Sequence, residues 1–123
     1  MQIGLLEDDT AIQEMLLLVL QDAGYTAISY SSADDCLDAL FTAAEKQNAS
    51  PLDLLIVDWR LFGSASGTDV IRQLRANDIF RSLPIILTTA AAIPHDELQN
   101  MHVELLEKPF AIDTMVGLIK RLI

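Results

Sequence analysis

Residues 52–58 read LDLLIVD, an apolar run that is interrupted once, by Asp53, and ends at Asp58. A nearly continuous apolar run of this length is typical of a parallel strand that is buried on both faces of a sheet. Four other stretches have strand length and composition, namely 3–6 (IGLL), 26–31 (TAISYS), 84–89 (PIILTT) and 103–106 (VELL). The sequence therefore predicts five strands, and the run that ends at Asp58 is the third of them.

Stretches with the period of a helix separate the predicted strands. The first places apolar side chains at i, i+3, i+4, i+7 and i+8, on Ile12, Met15, Leu16, Val19 and Leu20. Gly24 is predicted to be the C-cap of this helix, and a short, poorly periodic fourth helix is predicted after Pro94. Strands and helices alternate five times, which predicts a doubly wound, five-stranded parallel α/β sheet with helices on both faces.

Length and composition limit the class of protein. The 123 residues suffice for one domain over 1–123, and 51% hydrophobic with 21% charged residues excludes intrinsic disorder. The formal net charge of -10 argues against direct binding of nucleic acid or of an anionic membrane. The single cysteine, Cys36, excludes an internal disulfide, and no apolar run reaches the roughly 20 residues of a membrane span. Without a signal-peptide pattern at the start, the chain is expected to be cytoplasmic.

Residues that can carry chemistry lie at or directly after the ends of the predicted strands. They are Glu7, Asp8 and Asp9 after the first strand, Asp58 after the third, Thr88, Thr89 and Ala90 at the fourth, and Lys108 after the fifth. If the first and third strands are neighbours, three or four carboxylates meet in the ligand crevice of the sheet. Such carboxylates repel one another, and a divalent hard cation and the Lys108 ammonium would relieve the repulsion. The pattern predicts a site for Mg²⁺.

The same residues predict a reaction. An acidic pocket that holds Mg²⁺ beside Asp58, with Lys108 and Thr89 opposite, is suited to phosphoryl transfer onto the Asp58 carboxylate. A carboxylate is a poor nucleophile toward a charged phosphoryl group, so the cation and Lys108 would act mainly by neutralising charge. Asp9 is expected to cap the first helix rather than to bind the metal directly.

Four short motifs occur along the chain in a characteristic order. They are the apolar strand into Glu7-Asp8-Asp9, Asp58 after LLIV, Thr89-Ala90 after the fourth strand, and Lys108-Pro109-Phe110. Together they resemble the receiver domain of two-component response regulators, over essentially the full length of the chain. The resemblance implies a flavodoxin-like receiver fold with strand order 2-1-3-4-5 and a Lys108–Pro109 peptide that is often cis.

The resemblance also implies who binds the metal and who accepts the phosphoryl group. Asp58 would be the phosphoacceptor and, with Asp8, a direct ligand of Mg²⁺. Glu7 would act mainly through metal-bound water, and the backbone carbonyl of Arg60 would complete the protein ligands.

Further residues would contact the phosphoryl group once it is attached. Thr89 and Ala90 would bind it and act in the switch, and Lys108 would pair with it. Two positions, Arg60 and Ala91, are expected to tune its lifetime by controlling the access of water. Arg60 is expected to lie over the phosphoryl group.

The implied role is that of a phosphoacceptor that assists its own phosphorylation and dephosphorylation, not that of an enzyme. The implied donor is a histidine kinase or a histidine phosphotransfer protein, in a phosphorelay that switches partner binding. An effector domain, a downstream protein and a second copy of the chain are further expected partners. Direct binding of nucleic acid or of a membrane by this chain is not expected.

The sequence departs from the usual pattern of the family in several places. Phe62 stands where a proline is usual, and Gly67 comes one residue later than usual. Leu105 replaces an aromatic residue three positions before Lys108, and the stretch between Thr89 and Lys108 is shorter than is common. These changes predict a stunted fourth helix and signal output through another face or mechanism.

Three other functions remain open from the sequence. A receiver-like interaction module that works without phosphorylation is favoured slightly by Leu105 and the short fourth helix. An aspartyl-phosphate hydrolase would need a second acid where Arg60 stands, and the acids at 7–9 would repel the phosphate of a flavin carrier.

Leu17 and Leu18 lie off the apolar face of the first helix and are either ordinary exposed leucines or a docking patch for a kinase helix.

Overall fold

In the part of the chain that the structure describes, five strands alternate with five helices. The structure is a computed structural model and describes residues 1–61, 66–90, 93, 95–98 and 101–123. The strands are β1 (Gln2–Leu6), β2 (Thr26–Tyr30), β3 (Leu54–Asp58), β4 (Ile85–Thr89) and β5 (Glu104–Glu107). The helices are α1 (Thr10–Asp22), α2 (Ala33–Gln47), α3 (Gly67–Arg75), α4 (His95–Leu98) and α5 (Ile112–Leu122). A 3₁₀ turn, Asp78–Phe80, follows α3.

The strands form one parallel sheet in the order β2-β1-β3-β4-β5. The predicted fold class and strand order are therefore confirmed. Leu6 of β1 pairs with Val57 of β3, so the residues that follow them leave the sheet at the same edge. Asp58 of β3 pairs with Thr88 of β4, so the end of β4 lies at the same edge.

Apolar side chains on the two faces of the sheet form two separate core clusters. In β3, Leu55 and Val57 pack in the cluster that includes residues of α2 and α3. Leu54 and Ile56 pack in the cluster that includes residues of α1 and α5. Each of these four side chains is at most 1% exposed, and burial of one such side chain stabilises the fold by about 1.5–3 kcal/mol. Burial on both faces explains the nearly continuous apolar run.

The ends of α1 follow from local sequence. Asp9 accepts a hydrogen bond from the Ile12 amide at 3.2 Å and caps the helix, as predicted. The C-cap is Ala23 instead of the predicted Gly24, which follows it with φ +94°, a conformation that favours glycine. The Asp9 cap thus sets the start of α1 directly after Glu7 and Asp8.

Several predictions at the residue level were wrong by small amounts. Strand ends differ by one or two residues, since β1 begins at Gln2, β2 ends at Tyr30, β3 begins at Leu54 and β4 begins at Ile85. Met15 is 47% exposed, because α1 buries only a narrow stripe that contains Leu16 and Leu20. β5 begins at Glu104 instead of Val103. The short fourth helix is confirmed, since α4 has four residues, and the Lys108–Pro109 peptide is cis.

Cys36 is buried in α2 with 0% exposure and packs in the core as a small apolar residue would. No helix in the described ranges is long and apolar enough to cross a membrane.

Candidate functional site

Three carboxylates converge where β1 and β3 end. Glu7, Asp8 and Asp58 each offer one oxygen, and these oxygens all lie within 4.8 Å of one another. Glu7 is buried, with 3% of its surface exposed, whereas Asp8 and Asp58 are half-buried. The neighbouring positions of β1 and β3 produce this cluster, as the sequence predicted.

The ammonium of Lys108 reaches the same cluster from the other side of β4. Its Nζ lies 3.3 Å from Asp58 Oδ2 and 3.7 Å from Glu7 Oε1. The Lys108 amide donates to the Thr89 carbonyl at 2.7 Å, which ties the chain after β5 to the end of β4. One cation therefore offsets part of the charge of the acidic cluster.

Glu7 is the member of the cluster with the most altered ionisation. Its pKa is raised to about 8, first by burial and then by the hydrogen bond and the negative charge of Asp58, while Lys108 acts in the opposite direction. Glu7 Oε2 is buried and accepts no hydrogen bond from the residues that the structure describes. A buried carboxylate oxygen without a donor costs free energy that a cation or a proton would recover.

The donor set fits a divalent hard cation. Carboxylate oxygens at this mutual spacing, together with water on the half-exposed side, are the ligands that Mg²⁺ prefers. Glu7, Asp8 and Asp58 could hold such an ion, and the buried Oε2 of Glu7 is an acceptor that still lacks a donor. Direct binding by Asp8 and Asp58, with Glu7 acting through water, stays a prediction. The expected contribution of the Arg60 carbonyl stays a prediction.

The end of β4 supplies two residues expected to contact a phosphoryl group. Thr89 is 1% exposed and is the last residue of β4, and Ala90 follows it at the surface. Their strand lies next to β3, so they reach the edge of the sheet that carries Asp58. Ala91, the other residue expected to tune the phosphoryl lifetime, lies outside the described residues.

Gly67 is a residue whose importance the sequence analysis missed. A Cβ at this position would collide with the Asp58 carbonyl oxygen and come within 2.9 Å of Trp59 Cα. The Gly67 amide also donates to the Trp59 carbonyl at 2.8 Å. Only glycine permits so close an approach of the α3 start to the end of β3. The sequence offered one signal, a glycine shortly after Asp58.

Arg60 lies on the indole ring that precedes it in sequence. Its guanidinium carbon is 5.5 Å from the centroid of the Trp59 ring, which is a cation–π distance. Arg60 is exposed, whereas Trp59 is half-buried and packs against the core cluster of α2 and α3. The expectation that Arg60 lies over a phosphoryl group stays untested, and the contact with the indole was not foreseen.

Comparisons with known proteins agree with this geometry. The sequence profile described as "Response regulator receiver domain" matches residues 3–120. The phosphate regulon transcriptional regulatory protein PhoB of Escherichia coli is 27% identical over 122 residues, which cover 97% of this chain and 50% of PhoB. The chemotaxis protein CheY of Pseudomonas aeruginosa is 29% identical over 92 residues, covering 75% of this chain and 68% of CheY. The chain thus spans about half the length of PhoB.

A solved structure extends the similarity to the backbone. The response regulator protein TrrA of Thermotoga maritima, in complex with Mg(2+)-BeF, matches with a TM-score of 0.82 and 25% identity. The match covers 99% of this chain and 98% of TrrA.

Proposed function

The chain belongs to the family of response regulator receiver domains, and from this membership we propose that it accepts a phosphoryl group on Asp58. The observation that carries the proposal is the position of Asp58 between two other carboxylates and the Lys108 ammonium, whose Nζ lies 3.3 Å from Asp58 Oδ2. A lone surface aspartate would lack the means to offset the charge of an incoming phosphoryl group.

In the proposed reaction, a carboxylate oxygen of Asp58 attacks phosphorus in line with the leaving group. With a phosphohistidine donor, the bond from phosphorus to the imidazole nitrogen breaks, and the imidazole takes up a proton. Lys108 offsets negative charge on Asp58 and on the transferred group. Asp8 and Asp58 would hold Mg²⁺ directly and Glu7 would hold it through water, and the ion would supply further neutralisation of the phosphoryl oxygens.

The phosphorylated state is recognised, in this proposal, at the end of β4. We propose that the Thr89 hydroxyl and the Ala90 amide contact one phosphoryl oxygen and that Lys108 pairs with another. Leu105 lies on β5, 38% exposed, and has no hydroxyl with which to follow a movement of Thr89. Output from this domain is therefore proposed to depend on a change at another surface.

The partners follow from the chemistry of the site. We propose a histidine kinase or a histidine phosphotransfer protein as the donor, and the cytoplasm as the compartment. α1 begins directly after the acidic residues at 7–9, and it carries two exposed apolar side chains, Leu18 at 68% and Met15 at 47% exposure. We propose that these two side chains contact a helix of the donor protein. An effector domain, a downstream protein or a second copy of the chain would receive the signal.

The test is phosphorylation by acetyl phosphate in the presence of Mg²⁺, followed by measurement of intact mass. The wild-type chain should gain the mass of one phosphoryl group, and Asp58→Asn should gain none. Asp38→Asn is the matched control, because Asp38 is exposed on α2, away from the carboxylate cluster. The control should be phosphorylated like the wild type.

The alternative is an interaction module with receiver form and no phosphorylation, which Leu105 and the four-residue α4 favour. It predicts no gain of mass in any variant. It also predicts that Asp58→Asn leaves the binding of partner proteins unchanged.

A further inference from the structure

The contact between Trp59 and Arg60 joins a fixed group to a movable one. The Trp59 amide donates to the Thr88 carbonyl at 2.8 Å, and the Trp59 carbonyl accepts from Gly67 at 2.8 Å. With its backbone held on both sides and its ring packed against the core, the indole is a rigid platform. Arg60 is exposed and can leave that platform without disturbing the core.

The position of the guanidinium is notable in so acidic a chain. The sequence has 18 acidic residues, yet the ion pairs formed by the described residues include none with Arg60. Arg60 follows the phosphoacceptor by two positions, and its guanidinium rests on the aromatic ring between them. The indole therefore holds the cation that is nearest in sequence to the reacting carboxylate.

We propose that Trp59 is a positioning residue that retains the Arg60 guanidinium and thereby limits how long a phosphoryl group persists on Asp58. This inference rests on the proposed function. Phosphorylation places a more highly charged group next to the guanidinium, and Arg binds phosphoryl oxygens through paired hydrogen bonds. The guanidinium is then shared between the indole face and the phosphoryl oxygens. Each fraction of time on the indole leaves the phosphoryl group open to water.

The step that Arg60 would retard is hydrolysis of the acyl phosphate. A water oxygen attacks phosphorus, the bond between phosphorus and the Asp58 oxygen breaks, and the carboxylate is regenerated. Inorganic phosphate leaves, and the proton of the attacking water passes to solvent or to the phosphate. A guanidinium over the phosphoryl group occupies part of the path of the water, so a weaker hold by residue 59 should slow this step.

The experiment is a double-mutant cycle at positions 59 and 60, with the lifetime of the phosphorylated chain as the measurement. Each protein is phosphorylated with acetyl phosphate and Mg²⁺, the donor is removed, and the release of inorganic phosphate is followed. Trp59→Leu should lengthen the lifetime by about two- to five-fold, the range that an exposed cation–π contact supports. Trp59→Phe keeps a ring with a weaker π face and should lengthen it less. Arg60→Gln should shorten it.

The double variant separates the inference from a simple packing effect. If Trp59 acts through Arg60, then Trp59→Leu should have no effect on the lifetime when residue 60 is already glutamine. An equal change in both backgrounds, no change, or a shorter lifetime in Trp59→Leu would overturn the inference. A wild-type chain that takes up no phosphoryl group at all would overturn the proposed function together with it.

A spectroscopic measurement follows the guanidinium itself. Addition of Mg²⁺ and beryllofluoride, a phosphoryl analogue, should change the emission of Trp59 more in the wild type than in Arg60→Gln, because only the wild type loses a cation from the indole face. Equal changes in the two proteins would contradict the proposal.

Discussion

Lys108 Nζ lies 3.3 Å from Asp58 Oδ2, although Asp58 ends β3, Lys108 follows β5, and β4 lies between these strands. The ammonium reaches across the carboxyl edge of the sheet and is also 3.7 Å from Glu7 Oε1. One side chain thus compensates charge that originates from β1 and β3. The position of Lys108 follows from the order of the strands, which places β5 at one margin of the sheet, with β4 and β3 between it and β1.

Removal of this ammonium should slow phosphorylation. Lys108→Met keeps the apolar stem and loses the charge, so the rate with acetyl phosphate and Mg²⁺ should fall on the order of 100-fold, the usual effect of losing one group that stabilises developing charge. The rate is measured by the gain of intact mass with time. Lys120→Met, on the exposed last turn of α5, is the control and should react like the wild type. A normal rate in Lys108→Met would contradict the mechanism.

Glu7 should make the fold less stable as the pH rises in the absence of metal ions. Its pKa is raised from 4.5 to about 8 by burial and by Asp58, so between these values the folded chain binds more protons than the unfolded chain. The stabilisation is complete below 4.5 and is lost as the pH passes 8. Urea unfolding with a chelator present measures it. Glu7→Gln should flatten the profile across this window, whereas Glu45→Gln, at an exposed position of α2, should retain it.

Mg²⁺ should stabilise the folded chain and displace a proton from the acidic cluster. At ten times its dissociation constant, the ion should add about 1.4 kcal/mol to the free energy of unfolding. Because a protonated Glu7 competes with the cation, the affinity should rise with pH up to about 8. Thermal melts at several Mg²⁺ concentrations measure the effect. Asp8→Asn should abolish it, and Asp9→Asn should not, since asparagine still caps α1.

A methyl group at position 67 should damage both the fold and the site. In Gly67→Ala the new Cβ would meet the backbone of Asp58 and Trp59, so α3 or the end of β3 has to shift. We expect a loss of about 1–3 kcal/mol in the free energy of unfolding, together with slower phosphorylation.

Gly117→Ala is the matched control for that substitution. Gly117 lies inside α5, where a Cβ would have no atom within 4 Å, so alanine should stabilise the helix by about 0.5–1 kcal/mol. Denaturant unfolding of both variants measures the contrast. Similar free energies of unfolding for the two variants would show that the structure around Gly67 can accommodate a methyl group.

Arg75 should contribute strongly to stability through hydrogen bonds from its side chain to backbone carbonyls. Its guanidinium donates to the carbonyls of Phe80, Arg81, Met101 and His102 at 2.6–3.1 Å, and thereby joins the end of α3 to two later segments. Arg75→Ala leaves these carbonyls without their donor and should cost about 2–4 kcal/mol by denaturant unfolding. Arg72→Ala removes only an exposed ion pair with Asp69 and should cost less than about 1 kcal/mol. Equal losses would remove the distinction.

The sequence predicted the fold and the carboxylate cluster because both depend on regular patterns. Runs such as 52–58 report burial on both faces of a sheet, and the residues directly after such runs lie at one edge of it. Glu7, Asp58 and Lys108 could therefore be brought together before any coordinates were known. The boundaries were less certain, as the one-residue difference at the start of β5 shows.

The features that could not be predicted depend on tertiary packing. Nothing local indicates that Met15 falls outside the buried stripe, because that depends on how α1 tilts against the sheet. The acceptors of Arg75 include backbone carbonyls 26 and 27 residues away. Every residue has such a carbonyl, so the sequence does not indicate which ones accept. Whether the Arg60 guanidinium contacts an indole or a carboxylate likewise depends on where these groups lie in the folded chain.

The burial of Cys36 has a practical consequence for labelling studies. Burial raises the pKa of this thiol to about 12, so the native chain presents almost no thiolate to alkylating reagents. Because the chain has a single cysteine, a second one introduced at the surface would carry a fluorophore or spin label alone. Distances between two such introduced positions could then be followed through a cycle of phosphorylation without replacing the natural residue.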